Sequence, residues 1–286
     1  MKRWLRPLRS LVMTAGTALA MTAGVALVLG VSACYRAVDN YRDSPGPRFT
    51  GAATAAPDSV SGTGLKVVTW NVKWGEAAEA AALALATNPQ LRGADLLLLQ
   101  EMHETAVATI AAHLGMGYVY YPATLHPRVR HHVGNAILSR WPLVEDRKLV
   151  LPRVSLLMRT RRAAVVATAL VRGRRIQVYS LHLATPFEIG QTGLEDQLRA
   201  VIRDADGSPD PVLIAGDFNS STVGGLLVAE GFRWLTQHVG PTAWVVSLDH
   251  VFVRGLEAAA EAGVVNDHAL PSDHRPVWAV VGLQGR

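Results

Sequence analysis

The sequence predicts an α/β fold with antiparallel strand pairing, and three observations carry that expectation. Short apolar runs rich in branched residues recur between Leu65 and Val281, and most stop at a polar, often acidic, residue. Helical stretches are interleaved with these runs. Arg172-Gly173 separates two runs so closely that only a tight hairpin joins them. Strands mixed with helices and partly linked by hairpins describe layers packed around one core.

Taken in order, Leu65 to Trp70 reads as a strand and is followed at once by Asn71. Gly75 to Thr87 is alanine-rich and helical, stopped by Asn88-Pro89. Asp95 to Gln100, with four leucines, is a buried strand tipped by Glu101. Thr105 to Leu114 is a short helix and Tyr118 to Tyr121 a short strand. Val133 to Ser139, Leu143 to Leu151, Ala163 to Val171 and Arg174 to Leu183 follow as strands. Thr192-Gly193-Leu194-Glu195 has the form of a capping box, opening a helix with Leu194, Leu198, Val201, Ile202 and Ala205 on one face and Gly207 at its end. Pro211 to Ala215 is a strand, Thr222 to Glu230 holds a short helix, and strands at Leu248 to Val253, Ala258 to Val265 and Pro276 to Val281 complete the pattern.

Before Leu65 the composition changes. Lys2, Arg3, Arg6 and Arg9 precede an uncharged apolar stretch from Ser10 to Ala33, which ends Val31-Ser32-Ala33-Cys34. A positive start, an apolar run and small residues are the order of an export signal, and the last four residues resemble the bacterial lipobox, in which the cysteine is lipidated. The run also approaches the roughly 20 residues that span a bilayer, so a retained signal anchor is the rival. Either way residues 1–34 place the remainder outside the cytoplasm, at the cell envelope. Residues 35–64, with Pro45, Pro47 and Pro57, read as a flexible tether, and 65–286 as the catalytic domain.

The formal charge of +5 belongs mostly to that start, since its four basic residues leave 24 against 23 acidic ones elsewhere. A nearly neutral body argues against a general polyanion-binding surface. The basic groups Arg128/Arg130 and Arg172/Arg174/Arg175 read as solvated loops. With Cys34 the only cysteine, no disulfide forms within the chain. His126, His131 and His132 lie in an Arg-rich loop and read as solvated rather than as a metal cluster. Trp4 suits a membrane interface, and Trp141, Trp234, Trp244 and Trp278 read as core.

The chemistry concentrates at strand ends. After Leu213-Ile214-Ala215-Gly216, alternation sends Asp217 and Asn219 one way and Phe218 back to the core. Alone, Gly-Asp-Phe-Asn is a turn. It is joined by Trp70-Asn71, Gln100-Glu101, Gly134-Asn135, Leu181-His182-Leu183, Ser247-Leu248-Asp249 and Ser272-Asp273-His274-Arg275-Pro276. This ordered set resembles the endonuclease/exonuclease/phosphatase superfamily across about Leu65 to Val281.

The resemblance implies a four-layer α/β/β/α sandwich of two mixed, largely antiparallel sheets with a site at one edge. It implies Glu101 as principal Mg²⁺ ligand (Mn²⁺ being an alternative), with Asn71 its neighbour and Asp273 a second acid near the metal. Asp217 and Asn219 match the pair that positions nucleophile and phosphate, His274 the catalytic histidine and Asp249 the carboxylate that orients it. His182 matches a phosphate-contacting histidine, and Asn135 a motif flanking the site. Two positions depart from the pattern. Lys73 stands where many nucleases carry an acid, leaving one or two metals open, and His250 follows Asp249 where Tyr is frequent; alternation turns His250 away from the site. Carboxylates and amides are the hard oxygen ligands that Mg²⁺ takes, so the residue types suit the role. The expectation is a monomeric, membrane-tethered phosphoesterase acting on nucleic acid or a phospholipid head group, with His274 or Asp217 as general base. The alternative from another class is a non-catalytic envelope binding protein on a decayed enzyme fold.

Overall fold

The structure, a computed structural model, describes residues 39–54, 64–126 and 129–283. The basic start, the apolar run and Cys34 lie outside the described residues. Among the described residues no helix is long and apolar enough to cross a membrane.

The strands are β1 (Asp39–Asn40), β2 (Phe49–Gly51), β3 (Gly64–Asn71), β4 (Leu96–Met102), β5 (Gly117–Leu125), β6 (His132–Ser139), β7 (Leu143–Val150), β8 (Ala163–Val171), β9 (Arg174–His182), β10 (Val212–Asp217), β11 (Arg233–Trp234), β12 (Asp249–Arg254), β13 (Glu257–Val264) and β14 (Val277–Gly282). The helices are α1 (Ala78–Thr87), α2 (Glu104–Leu114), α3 (Pro186–Asp206) and α4 (Gly225–Ala229). One sheet runs β1-β5-β6-β4-β3-β14-β13, with β2 also on β5, and the other β11-β12-β10-β9-β8-β7. Only β3/β4 and β9/β10 pair in parallel; the rest are antiparallel.

Alternation within strands builds three apolar layers. Val67, Leu96, Leu98, Ile137, Val165, Val178, Leu213, Ala215 and Val251 fill the space between the sheets. Val68, Trp70, Leu97, Leu99 and Leu138 face the other way, onto α1 and α2 through Ala81, Leu85, Val107 and Ile110. Tyr179, Leu181, Ile214 and Phe252 pack on α3 through Leu194, Leu198, Val201 and Ala205. Helix, sheet, sheet, helix is the four-layer α/β/β/α sandwich expected.

Three local expectations need correction. The helix expected at Thr192 opens earlier: Thr185 is its N-cap, Pro186 its first residue, and Glu188 returns Oε2 to the Thr185 N–H at 2.8 Å. The same Thr-x-x-Glu pattern thus occurs seven residues upstream, and Gly190 (φ 73°) breaks the first turn from the main helix. Part of the stretch read as a tether is built into the sheet. Asp39 and Asn40 pair with Leu125 and Thr124, Phe49 to Gly51 pair with Tyr120 to Tyr118, and the Phe49 ring lies 5.7 Å from that of Tyr120. Strands this short hold by backbone pairing and a single aromatic, which leaves no apolar period to read. Finally, Trp244 is not core but 84% exposed.

Candidate active site

The inner strand faces grade from apolar to polar towards one edge. Leu213 and Ala215 precede Asp217, Val178 precedes Ser180 and His182, and Val253 and Val251 precede Asp249. In the facing sheet Leu65 and Val67 lead to Thr69 and Asn71, and Leu96 and Leu98 to Gln100. Gln100 ties the sheets beneath the site, its amide donating to Leu98 O (2.9 Å), Thr69 Oγ1 (3.2 Å) and Ser180 Oγ (3.3 Å). Asn135 donates across the gap to Ala163 O at 2.8 Å and Ser180 O at 3.4 Å.

Asp217 is the centre. On its own sheet it pairs with His182 in parallel and Asp249 in antiparallel register, so the three side chains form one row. It is 1% exposed. Its Oδ1 accepts the Asn219 N–H at 2.8 Å, the contact of an Asx turn, so Gly-Asp-Phe-Asn is both turn and site. Its Oδ2 accepts from Asn71 Nδ2 at 3.1 Å and lies 3.4 Å from His182 Nε2 and 3.8 Å from His274 Nε2. Burial, then the nearby Asp249 charge, push the Asp217 carboxyl up to about 7 against the pull of His274, Asn219 and Asn71. Phe218 turns outward beneath His250 and Phe252 as alternation requires, and Asn219 anchors its amide on Leu183 O at 2.8 Å.

His274 stands opposite. Its Nδ1 donates to Asp249 Oδ2 at 2.8 Å. Burial pulls the imidazole down, but Asp249, then Asp217 and Asp273, more than reverse this and hold it up to about 10. The loop is fastened to β3: Ser272 Oγ donates to Asn71 O at 2.7 Å and accepts the His274 N–H at 3.1 Å, and Trp70 Nε1 donates to His274 O at 2.8 Å. Thr242 Oγ1 accepts the Leu248 and Asp249 N–H groups, fixing the start of β12. Asp273 is exposed beside His274.

Glu101 owes its aim to an irregularity. The β4/β6 ladder slips between Leu99 and Met102, a bulge of one extra residue, and Glu101 takes φ 55°. A left-handed non-glycine residue costs about 1–2 kcal/mol, held here by the sheet on both sides. Burial pushes its carboxyl up, offset by Arg162, Asn71 and His274. With His182, Asn135 and Arg162 it lines a cleft of about 240 Å³, with Trp74 and His126 across the mouth.

Arg162 and Glu188 were not legible as site residues. Arg162 donates from Nη1 to His182 Nδ1 at 3.2 Å and from Nη2 to Glu188 Oε2 at 3.4 Å. An acceptor Nδ1 makes His182 a neutral ring with its proton on Nε2, and burial followed by Arg162 and His274 drives its pKa well down. The capping Glu188 that opens α3 is therefore also the counter-charge of the site. The only available signal was that Thr185-x-x-Glu188 follows His182 by three residues. His250 faces away as expected, its ring 4.8 Å from that of Trp234 and its Nε2 3.2 Å from Ser220 O. The loop histidines do not converge: His126 lies 6.1 Å from Trp74, His131 stacks on His103 at 5.2 Å, and His132 meets Glu104 at 3.2 Å.

Among the described residues, two donor sets suit a cation. Asp217, Asp249 and His274 offer ligand atoms within 4.8 Å of one another, but the His274–Asp249 bond already occupies two of them. Glu101, which lines the cleft, and Asn71 bonded to it form the other set, hard oxygens both.

A comparison with curated protein sequences gives no match. Among solved structures the chain is similar to an endonuclease/exonuclease/phosphatase from Beutenbergia cavernae DSM 12333, with 20% identity and a TM-score of 0.63 over 78% of this chain and 72% of that one. It is also similar to D. rerio TDP2 complexed with single strand DNA product, at 17% identity and a TM-score of 0.62 over 77% of this chain and 100% of that one. The human Nocturnin catalytic domain with bound sulfate anion matches at 19% identity and a TM-score of 0.58, over 83% and 98% of the two chains. At such identities the likeness is one of fold. The family match is independent of it and runs over residues 68–274, from β3 to His274 itself. The chain is thus a metal-dependent phosphoester hydrolase belonging to the endonuclease/exonuclease/phosphatase family.

Proposed function

We propose that the chain hydrolyses a phosphodiester with Mg²⁺, for which Mn²⁺ can substitute, at the cell envelope. The observation that carries the chemistry is the row His182–Asp217–Asp249, joined to Asn71 of the opposite sheet at Asp217 and opening through His182 onto the cleft that Glu101 also lines. Glu101 and Asn71, with Asp273 nearby, are the residues that would hold the ion; bound there, it supplies charge neutralisation for a phosphoryl oxygen and the leaving oxygen.

The protein groups divide the remaining work by their protonation. His274, held cationic by Asp249, is a poor base at neutral pH and instead faces the phosphate as a fixed positive charge. Asp217, raised to about 7, is the group suited to take a proton from water, with Asn71 and Asn219 fixing its two oxygens. His182 donates through Nε2 and Arg162 places a second cation on the cleft wall. The basic start, apolar run and Cys34 support the envelope location.

The test is hydrolysis of bis-(p-nitrophenyl) phosphate by the full chain. Activity should vanish in EDTA and return with Mg²⁺; metal-independent turnover or none at all would refute the reading. A reporter fused after Gly64 should be active only in the exported compartment, and activity in the cytoplasm rejects the location.

A further inference from the structure

The chain enters the fold at the mouth of the cleft. Asn40 donates from Nδ2 to Arg159 O at 2.8 Å and accepts the Arg161 N–H on Oδ1 at 2.8 Å, while Asp39 and Asn40 pair with Leu125 and Thr124 beside the cleft-lining His126. The apolar run ends at Ala33, and the five residue steps from Cys34 to Asp39 reach at most about 17 Å. A membrane segment ending there would hold the cleft mouth, rather than the far end of the strands, against the bilayer.

That same rim carries apolar side chains that none of the described residues covers. Leu156 is 76% and Leu157 55% exposed on the loop that Asn40 grips. Phe187, 93% exposed, sits beside them because Leu156 N–H bonds Glu188 O at 3.1 Å. On the other flank Trp244 and Val245, 84% and 85% exposed, form a turn whose Ala243 pairs with His274. Large apolar groups bracketing a polar cleft, with exposed Arg159 among them, match an interface of acyl chains beneath anionic head groups.

We propose that the cleft mouth rests on the membrane carrying the tether, with Leu156, Leu157 and Phe187 seated in its interfacial layer, and that the substrate is a phosphodiester resident in that membrane, a lipid head group. This rests on the envelope-tethered phosphodiesterase reading above.

The full chain reconstituted in vesicles of phosphatidylcholine and phosphatidylglycerol tests it twice. In vesicles with brominated acyl chains, Phe187→Trp should add a quenched fluorescence component, while Pro209→Trp, exposed at the opposite end of β10, should add an unquenched one. An unquenched Trp at 187, or equal quenching at both, overturns the orientation whether or not the chain turns over any ester. The second arm compares p-nitrophenyl hexadecyl phosphate in the vesicle with p-nitrophenyl methyl phosphate in solution. The Leu156→Ser/Leu157→Ser/Phe187→Ser variant should lose about tenfold on the first and nothing on the second. Equal losses on both, or none on either, overturn the substrate class. Hydrolysis of neither ester by the unaltered chain, with 187 quenched, refutes the lipid substrate and the phosphodiesterase reading together and leaves only the orientation.

Discussion

Asp249→Asn offers the sharpest test of the site, because it changes a charge without changing a shape. Asp249 is fully buried, one oxygen receives His274 Nδ1–H at 2.8 Å, and the other has no hydrogen-bond partner among the described residues. An asparagine can keep its carbonyl on His274 and place its amide where the unpartnered oxygen was. The structural cost is one buried N–H₂ without an acceptor, about 1–3 kcal/mol. The electrostatic effect is larger. The rise of His274 from 6.5 to about 10 corresponds to about 5 kcal/mol of preference for the charged ring, at about 1.4 kcal/mol per tenfold, with Asp249 its chief source. Asp249 is also the main charge holding Asp217 up. Removing it lowers both groups. In a pH–rate profile at saturating Mg²⁺, activity should rise as Asp217 ionises and fall as His274 discharges. Asp249→Asn should move both limbs to lower pH, the alkaline one by at least about one unit. Turnover at neutral pH should fall by about 10² or more, and the double variant with His274→Ala should be little worse than His274→Ala alone. Limbs that stay in place, or multiplicative losses, would refute the dyad.

Glu101→Gln keeps the bulge but removes the charge, so the Mg²⁺ concentration for half-maximal activity should rise more than about tenfold; an unchanged requirement means the ion sits elsewhere. Asp217→Asn should abolish turnover yet stabilise the metal-free protein at pH 8. With a folded pKa of about 7 against about 3.9 unfolded, the native state binds the extra proton and stability falls as pH rises through that window, by about 4 kcal/mol. Because Asn71 and His182 both donate to Oδ2, the amide recovers only part, about 1–3 kcal/mol. Thermal melts in EDTA should show the gain at pH 8 and not at pH 5. Gly216→Ala places Cβ 1.9 Å from Leu181 O, so the urea midpoint should drop by the equivalent of about 3 kcal/mol or more; an unaltered midpoint refutes the close approach of β9 and β10.

The order of elements and the polar strand ends were legible in the sequence because alternation and strand termination are local signals. Asn71, His182, Asp217, Asp249 and His274 do meet in space: the first four each end or begin a strand whose apolar residues set its face, and His274 lies in the loop before β14 that Ser272 and Trp70 fasten to β3. Glu101 was legible by position, but its left-handed backbone was not, for a bulge depends on the partner strand. Arg162 and Glu188 escaped because an arginine at a strand's start and a glutamate in a capping box each have a sufficient local explanation; only the meeting of β8, β9 and α3 joins them to His182. The strands at 39–40 and 49–51 escaped because β5, not their own residues, specifies them.

The row His182–Asp217–Asp249 has a consequence for how such a protein can diversify. Three adjacent strands hold it by register alone, so a single insertion inside β9, β10 or β12 would turn one member into the opposite layer and silence the whole centre. The outer parts of two connecting segments bear no such constraint. The stretch from Arg153 to Met158 and the tip of the turn at Trp244 can lengthen, shorten or change polarity while the reacting groups stay fixed, so heritable change is channelled into what the centre acts upon and away from what it does.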